Sequence, residues 1–167
     1  FGEGPAAMIV VADASPIIFL AKIRRLDLIQ RLLGEDIRIP RTVVKELVVP
    51  GMDPVEEEVI THFLATTKVE QVRKPRRFAT AMSAADNAAL TLALRSKADF
   101  LLCDERVTRS MAEIEGIRPL GTLGILLRAT RDEIITKKEA RRLVDTLVSE
   151  HNLRIGVEVY QAILKSL

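Results

Sequence analysis

Acidic residues stand at points in the sequence where their carboxylates can act together. Asp13 follows the apolar run 8–12, and Asp104 follows a second apolar run, 100–103. In open parallel sheets, ligands bind outside the carboxyl ends of the strands, so we expect both side chains at one edge of a sheet. Asp86 lies near the start of an Ala- and Leu-rich helical segment and can join them from the N-terminus of that helix.

A further acid, Glu46, lies in a segment whose other residues are mostly apolar. Several carboxylates in one cleft repel each other, and a hard divalent cation relieves that repulsion. Mg²⁺ and Mn²⁺ prefer oxygen ligands, whereas one Cys and two His are too few for a typical zinc site. A cation of this kind activates water and stabilises the leaving oxygen of a phosphodiester, so the acids indicate phosphoryl chemistry.

The same residues also have structural interpretations, which the sequence alone leaves open. Ser15 is expected to be the N-cap of the helix that follows Asp13. The pattern Ser83-Ala84-Ala85-Asp86 is typical of a capping box. Asp104 suits the cap of the next helix, and Glu46 suits a position that faces solvent.

Short apolar strands alternate with helices along the chain, and these elements must position the acids. The pattern predicts strands at 8–12, 37–39, 68–72, 100–103 and 117–120. It predicts helices at 17–23, 26–33, 42–49, 53–65, 83–97, 105–115, 121–131, 136–150 and 157–167. Such alternation predicts an α/β fold, a three-layer α-β-α sandwich with a central and mainly parallel sheet.

Length and composition predict one domain. The chain has 167 residues, 48% of them hydrophobic, which is enough for its own core and excludes a disordered protein. Residues 8–167 are expected to form that domain, with 132–167 as its helical tail and 1–7 as an expression remnant or a disordered end. The single Cys and the absence of a long apolar run predict a cytoplasmic protein with no membrane partner.

Positive charge is concentrated in the segment Arg73-Lys74-Pro75-Arg76-Arg77, while the whole chain carries a net charge of only +2. Five residues with a central Pro predict an exposed loop. Four cations there suit a phosphate backbone, and a solvated linker explains them equally well. Aromatic residues make up 4% of the chain, which disfavours a protein that reads bases by stacking them on aromatic platforms.

Four short motifs follow one another in the first 130 residues. The first is Val10-Val-Ala-Asp13-Ala-Ser15-Pro16, and an apolar helix follows it. The others are Val43-Val44-Lys45-Glu46-Leu47, then Ala85-Asp86-Asn87, then Ala98-Asp99-Phe-Leu-Leu-Cys-Asp104-Glu105, ahead of Ile117-Arg-Pro-Leu-Gly121-Thr122-Leu-Gly124. In this order the set resembles PIN-domain nucleases, and most closely their VapC-like subgroup of short prokaryotic proteins.

The resemblance implies an acidic cluster in which Asp13, Glu46, Asp86 and Asp104 are catalytic. Asp13, Asp86 and Asp104 would bind Mg²⁺ or Mn²⁺, with Ser15 and Glu105 as supporting residues. The implied activity is metal-dependent cleavage of RNA by a homodimeric toxin, which a small antitoxin protein blocks. The basic residues expected to hold the RNA backbone are Arg73, Lys74, Arg76, Arg77, Arg106 and Arg109.

Two other functions stay open at this point. A PIN-fold protein without catalysis would bind RNA or a protein partner, and it would bind RNA equally well in chelator. A phosphatase of the aspartyl-nucleophile type would place a second Asp two residues after Asp13, but Ser15 stands there.

Overall fold

The strands of this computed structural model, which describes residues 7–167, form one sheet. Within that range the five strands are Val10–Ala12 (β1), Ile37–Pro40 (β2), Lys68–Glu70 (β3), Phe100–Leu102 (β4) and Arg118–Leu120 (β5). All neighbouring pairs are parallel, in the order β3-β2-β1-β4-β5. Residues 1–6, most of the segment expected to be an expression remnant, lie outside the described residues.

Helices connect the strands and extend the chain beyond β5. They are Ala14–Lys22 (α1), Asp27–Leu33 (α2), Arg41–Leu47 (α3), Pro54–Ala65 (α4), Ala84–Ser96 (α5), Arg106–Ile114 (α6), Thr122–Arg131 (α7), Lys137–Glu150 (α8) and Val157–Ser166 (α9). Among the described residues, no helix is both long and apolar enough to cross a membrane.

The sheet is the middle of three layers, because alternate residues of each strand pack on opposite faces. Val10 and Ala12 pack in a core cluster with α1, α2, α7 and α8, whereas Val11 packs in a second cluster with α5 and α6. Both clusters are buried, as expected for a parallel sheet whose central strands, β1 and β4, are apolar throughout. The predicted three-layer α/β fold is confirmed.

The order of the strands reverses between β1 and β4. From β1 the chain proceeds outward through β2 and β3, and it later returns to place β4 and β5 on the other side. Ala12 pairs with Leu102 in the register of these two central strands, and the Asp13 N–H donates to the Leu102 carbonyl at 2.9 Å. The loops after β1 and β4 therefore diverge from one point, which is where ligands bind in open α/β sheets.

Strand β5 is an open edge of the sheet. The Cys103 N–H donates to the Leu120 carbonyl at 3.1 Å, so Leu120 directs its backbone groups towards β4. Because backbone groups alternate in direction along a strand, the backbone groups of Pro119 point away from β4. Its missing N–H therefore removes no hydrogen bond between β5 and β4. A proline in this position also discourages pairing of β5 with a further strand.

Most predicted elements are confirmed, but some of them begin or end at a different residue than predicted, for local reasons. Helix α3 ends at Leu47 rather than at residue 49, because Val49 precedes Pro50 and a residue before proline disfavours helical geometry. Strand β3 ends at Glu70, two residues earlier than predicted. Helix α1 begins at Ala14, so Pro16 lies at its third position, where the first-turn N–H groups have no partner within the helix.

Candidate functional site

Asp13 is a buried carboxylate at the end of β1. Its side chain is 5% exposed, and it caps α1 by accepting a hydrogen bond from the Ala14 N–H at 2.8 Å. The prediction that Ser15 caps this helix is therefore wrong. Asp13 accepts the bond instead because it directly follows the strand and has the extended backbone that an N-cap requires.

Asp86 meets Asp13 from the first turn of α5. The two side chains lie within hydrogen-bonding range, and Glu46 of α3 is close enough to add its negative charge. Burial, the nearby carboxyl of Asp86 and the charge of Glu46 together raise the pKa of Asp13 to about 8, with burial the largest cause. The pKa of Glu46 is also raised, first by partial burial and then by Asp86, although the residue is exposed overall.

The predicted capping box of α5 is present, so Asp86 has two roles. Its N–H donates to Ser83 Oγ at 3.1 Å, and its carboxylate accepts from the Ser83 N–H at 3.0 Å. The box fixes the carboxylate at the start of the helix beside Asp13. The structural and functional interpretations of Asp86 are thus compatible, since one oxygen bonds the cap while the group contacts Asp13.

Asp104 is held by hydroxyl and amide donors from two helices. Its Oδ2 accepts from Ser15 Oγ at 2.9 Å and from Thr122 Oγ1 at 2.8 Å, while its Oδ1 accepts from the Thr122 N–H at 2.7 Å. The interpretation of Asp104 as the cap of α6 is wrong, because Glu105 is the N-cap and makes no side-chain capping bond. Three of the four acceptor positions of the carboxylate are filled, which leaves one, on Oδ1.

The pleat of the sheet explains why Asp13 and Asp104 have different partners. Val11 and Cys103 lie in the core cluster on the α5 side, so alternation places Asp13 on that side as well. Leu102 lies in the cluster on the α1 and α7 side, and Asp104 follows it there. Both residues lie at the same edge of the sheet, because they follow neighbouring strands whose ends are paired.

The thiol of Cys103 shows that the acids nevertheless converge. It is fully buried, and burial raises its pKa, with further contributions from Asp13, Asp104 and Asp86. Arg109 opposes that shift. Three acids far apart in sequence therefore lie within electrostatic reach of one atom, and the thiol itself is a poor nucleophile, as its apolar strand predicts.

The exposed residues after β4 form the outer side of this site. Glu105, Arg106 and Arg109 are all exposed, and Arg109 lies near both Cys103 and Asp104. Within residues 7–167, neither Arg106 nor Arg109 forms an ion pair with an acid. Both guanidinium groups are thus available to an anion, and that of Arg109 lies at the edge of the acidic cleft.

The basic segment 73–77 is an exposed loop, as predicted, and it lies along α5. Arg95 near the C-terminal end of α5 donates to two carbonyls of this segment, and the Arg76 N–H donates to Thr91 Oγ1 at 2.9 Å. At a rise of 1.5 Å per residue, these anchors lie roughly 7–14 Å along the helix from Asp86. The segment comes closest to the acids at its last residue, Arg77, because the next N–H, that of Phe78, donates to Asn87 Oδ1 beside Asp86 at 2.9 Å.

Two residues of the site, Gly121 and Thr122, were predicted as the start of a helix and as part of the stretch 117–124 that follows the motifs, but not as site residues. Thr122 is fully buried and gives Asp104 two hydrogen bonds. A Cβ atom on Gly121 would lie 2.8 Å from Asp104 Oδ1 and 3.3 Å from the Cys103 carbonyl. The available signal was the Gly-Thr pair that opens an apolar helix directly after a strand.

The donor set fits a divalent cation in chemistry and in charge. Asp13, Asp86 and Glu46 present oxygen atoms only, and none of them is paired with a Lys, Arg or His in the described part of the chain. In that same part, no three His, Cys, Asp or Glu side chains are already grouped as a metal centre. The hydrogen bonds of Asp104 are made to Ser15 and Thr122, not to the other acids.

The sequence of the chain matches a known protein family. The model of the PIN domain matches the chain over residues 9–167. The chain belongs to the PIN-domain family. PIN domains are generally nucleases that use divalent metals, and the match includes every acid of the site. No curated protein matches the chain, and its likeness to the VapC-like subgroup of PIN domains stays a prediction.

Proposed function

We propose that this PIN domain is a ribonuclease that depends on Mg²⁺ or Mn²⁺. The observation that carries the proposal is the buried Asp13 carboxyl at the point where the strand order reverses, with the carboxyl of Asp86 close enough to raise its pKa. Two acids in contact with no cation partner are costly to keep ionised, and a divalent cation offsets that cost.

The residues that would hold the cation are Asp13 and Asp86, with Asp104 contributing through the free position on Oδ1 and Glu46 in support. A divalent cation supplies an activated water and stabilises negative charge on the phosphate. The chain itself orients the carboxylates: the α1 cap fixes Asp13, the capping box fixes Asp86, and Ser15 with Thr122 fixes Asp104. Burial of Asp13 also limits the access of bulk water.

Arg106 and Arg109 support a nucleic-acid substrate, because they are exposed cations on the first turns of α6 beside the acids. Phosphate contacts from such residues position a backbone without reading its sequence. The segment 73–77 would contact RNA only along the side of α5, where Arg76 is also paired with Glu115 at 3.4 Å. We therefore assign the backbone at the cleavage site to Arg106 and Arg109.

A toxin role, with homodimerisation and inhibition by an antitoxin protein, belongs to this proposal through the sequence motifs of the VapC-like subgroup. The exposed side chains of Ile114 and Val157 offer apolar surface to a protein partner. Growth arrest on expression in a bacterial host, relieved by Asp13→Asn, is the expected result for a toxin. Unimpaired growth with full ribonuclease activity would contradict that role.

The alternative function is a module that binds RNA or a protein without cleaving it. It is favoured by one observation, that the described residues contain no group of three acids already placed as metal ligands. A module of this kind would use the same exposed cations, and its affinity for RNA would not depend on a divalent metal.

Cleavage of a fluorescent single-stranded RNA in Mn²⁺, in Mg²⁺ and in chelator separates the two functions. Asp13→Asn is expected to lower the rate by about 10²-fold or more, since several kcal/mol of transition-state stabilisation depend on the cation. Asp132→Asn, an exposed acid at the end of α7, is the matched control and should cleave normally. Metal-independent binding without cleavage in the unmodified protein would establish the module instead.

A further inference from the structure

A cavity of about 310 Å³ lies between the acidic cleft and the C-terminal helix. Its apolar walls come from Leu123 and Leu127 of α7 and from Val159 and Ile163 of α9. This volume is at the lower end of the roughly 300–1,000 Å³ of small-molecule sites. A cavity of about 150 Å³ already holds a benzene ring, so this one has room for a single planar base.

The cavity reaches the acidic site at Asp104, which lines it together with Gly121. A larger cavity of about 740 Å³ between α2 and α4 touches none of the predicted site residues. Any group that occupies the smaller cavity therefore lies next to Asp104.

The charged residues around the cavity favour a polyanion that carries apolar rings. Arg109 and Arg154 both line it, both are exposed, and neither forms an ion pair with an acid among residues 7–167. With a cation at the acids, positive charge would stand at both sides of an apolar recess. RNA matches this pattern, since its phosphates repeat along the backbone and its bases can leave the stack.

The interior of the cavity matches a nucleobase better than a charged side chain. Leu153 and Ile163 are almost fully buried at its apolar side, while Val159 is 52% exposed and lies at its opening. A base removed from its stack is held by apolar side chains or by guanidinium planes as well as by aromatic rings. A protein with 4% aromatic residues thus has the means to hold one base.

We propose that this cavity receives one nucleobase of the RNA whose phosphate lies at Asp13, Asp86 and Asp104, with Arg109 and Arg154 on the adjoining phosphates. This inference rests on the proposed ribonuclease function and extends it from the backbone to a base. It assigns a binding role to Arg154, Val159 and the tail of the domain.

The test is the affinity of the full chain for a short fluorescein-labelled oligouridylate and for its abasic counterpart, measured in chelator by anisotropy. The unmodified protein should bind the intact RNA about tenfold more tightly than the abasic strand, because only the intact RNA can bury a base between the apolar walls of the cavity. Val159→Trp fills the opening of the cavity and should remove that preference while affinity for the abasic strand is unchanged. Val157→Trp is the matched control, since it lies on the same helix, is 72% exposed and does not line the cavity.

A second pair of variants tests the phosphate contacts. Arg154→Gln should weaken both strands by the same factor, whereas Arg142→Gln, an exposed arginine of α8 outside the cavity, should weaken neither. Equal affinity of the unmodified protein for the two strands would overturn the proposal. So would a preference that survives Val159→Trp, which is the result expected if the cavity serves a peptide.

The outcomes separate this inference from the proposed function. Metal-dependent cleavage that requires Asp13, together with a base preference unaffected by Val159→Trp, would overturn the cavity alone. A base preference lost in Val159→Trp, together with no cleavage in any metal, would support the cavity and overturn the nuclease.

Discussion

Asp13 is a buried acid whose nearest charged neighbours are also acids. Its raised pKa, about 8, follows first from burial and then from Asp86 and Glu46. An acid whose pKa is raised this far by burial and by neighbouring acids is expected at a functional site. In this chain the same side chain also caps α1, so the cost is partly offset by the Ala14 N–H.

This pKa predicts how the stability of the metal-free protein depends on pH. Between the ordinary value of 3.8 and about 8, folded Asp13 keeps a proton that the unfolded chain has lost. The contribution of Asp13 to the free energy of unfolding is therefore present below pH 4 and is lost as the pH rises towards 8. Urea denaturation in chelator should show Asp13→Asn gaining stability over the unmodified protein as the pH rises.

The comparison between the two proteins isolates this effect. Asp36, whose pKa is lowered by its hydrogen bond to Arg38, acts in the opposite direction and is common to both. Asp132→Asn should follow the unmodified protein at every pH. A stability difference between Asp13→Asn and the unmodified protein that does not vary with pH would contradict the prediction.

Thr122 is the second residue whose environment gives a prediction. Thr122→Val keeps the shape of this buried side chain and removes one of the three hydrogen bonds to Asp104. A bond to a charged acceptor is worth about 1.5–3 kcal/mol, and loss of an orienting partner lowers metal-dependent activity by roughly 10–100-fold. Denaturation and RNA cleavage measure the two effects.

The serine variant at the same position distinguishes the hydroxyl from the packing. Thr122→Ser should restore most of the activity, because the Oγ donor is kept. Thr130→Val removes a hydroxyl of the same helix that bonds only a carbonyl, and it should leave activity unchanged. Equal activity of Thr122→Val and the unmodified protein would show that the bond does not position Asp104.

At the scale of elements, the site is built where helices begin. Asp13 caps α1, Asp86 closes the box of α5, and Asp104 accepts the first N–H of α7. The partial positive charge at these helix starts favours carboxylates. Three helices converge at one sheet edge because each follows a parallel strand or runs back to the start of the next.

The approach of α7 to β4 depends on a residue without a side chain at Gly121. In Gly121→Ala the new Cβ would lie 2.8 Å from Asp104 Oδ1, so the carboxylate or the helix must move. We expect a loss of about 1–3 kcal/mol in the free energy of unfolding, the usual cost of overpacking, with a matching loss of metal binding. Chemical denaturation and calorimetric titration with Mn²⁺ measure both.

Gly156→Ala is the control for this variant. Gly156 is also the N-cap of a helix, α9, and a Cβ there meets nothing within 4 Å. Its stability should change by only a few tenths of a kcal/mol. If the two alanine variants were equally stable and bound Mn²⁺ equally well, the close approach at Gly121 would affect neither stability nor metal binding.

At the scale of the whole molecule, the metal is expected to stabilise the fold. A cation that binds only the folded chain raises the free energy of unfolding by about 2.7 kcal/mol at a hundred times its dissociation constant. For a chain of this size that shift is roughly 5–10 °C in the melting temperature. Scanning calorimetry in chelator and in excess Mn²⁺ should show the shift in the unmodified protein and not in Asp86→Asn.

Asp132→Asn provides the comparison for the calorimetry, since it removes a carboxylate outside the cleft and should keep the full shift. An equal shift in Asp86→Asn would place the bound Mn²⁺ elsewhere on the molecule. That result would weaken the metal site without affecting membership of the PIN-domain family.

Local signals determined the elements of the fold. Apolar runs marked the strands, and the Ser83–Asp86 capping box marked the start of α5, because each signal is contained within a few neighbouring residues. The ends of α1 and α3 were less accurate. In α1 the choice between Asp13 and Ser15 as the cap depended on what else each side chain could bind.

The sequence alone therefore determined the α/β architecture and the sheet edge at which Asp13 and Asp104 lie. Only the tertiary structure decided which groups meet: Asp86 and Glu46 lie near Asp13, whereas Ser15 and Thr122 bind Asp104. Ser15 and Asp104 are 89 positions apart in the sequence, and Asp104 and Thr122 are 18 positions apart. The side chains of each pair nevertheless form a hydrogen bond. Such contacts depend on packing between distant segments, and the chemistry of neighbouring residues in the chain does not fix them.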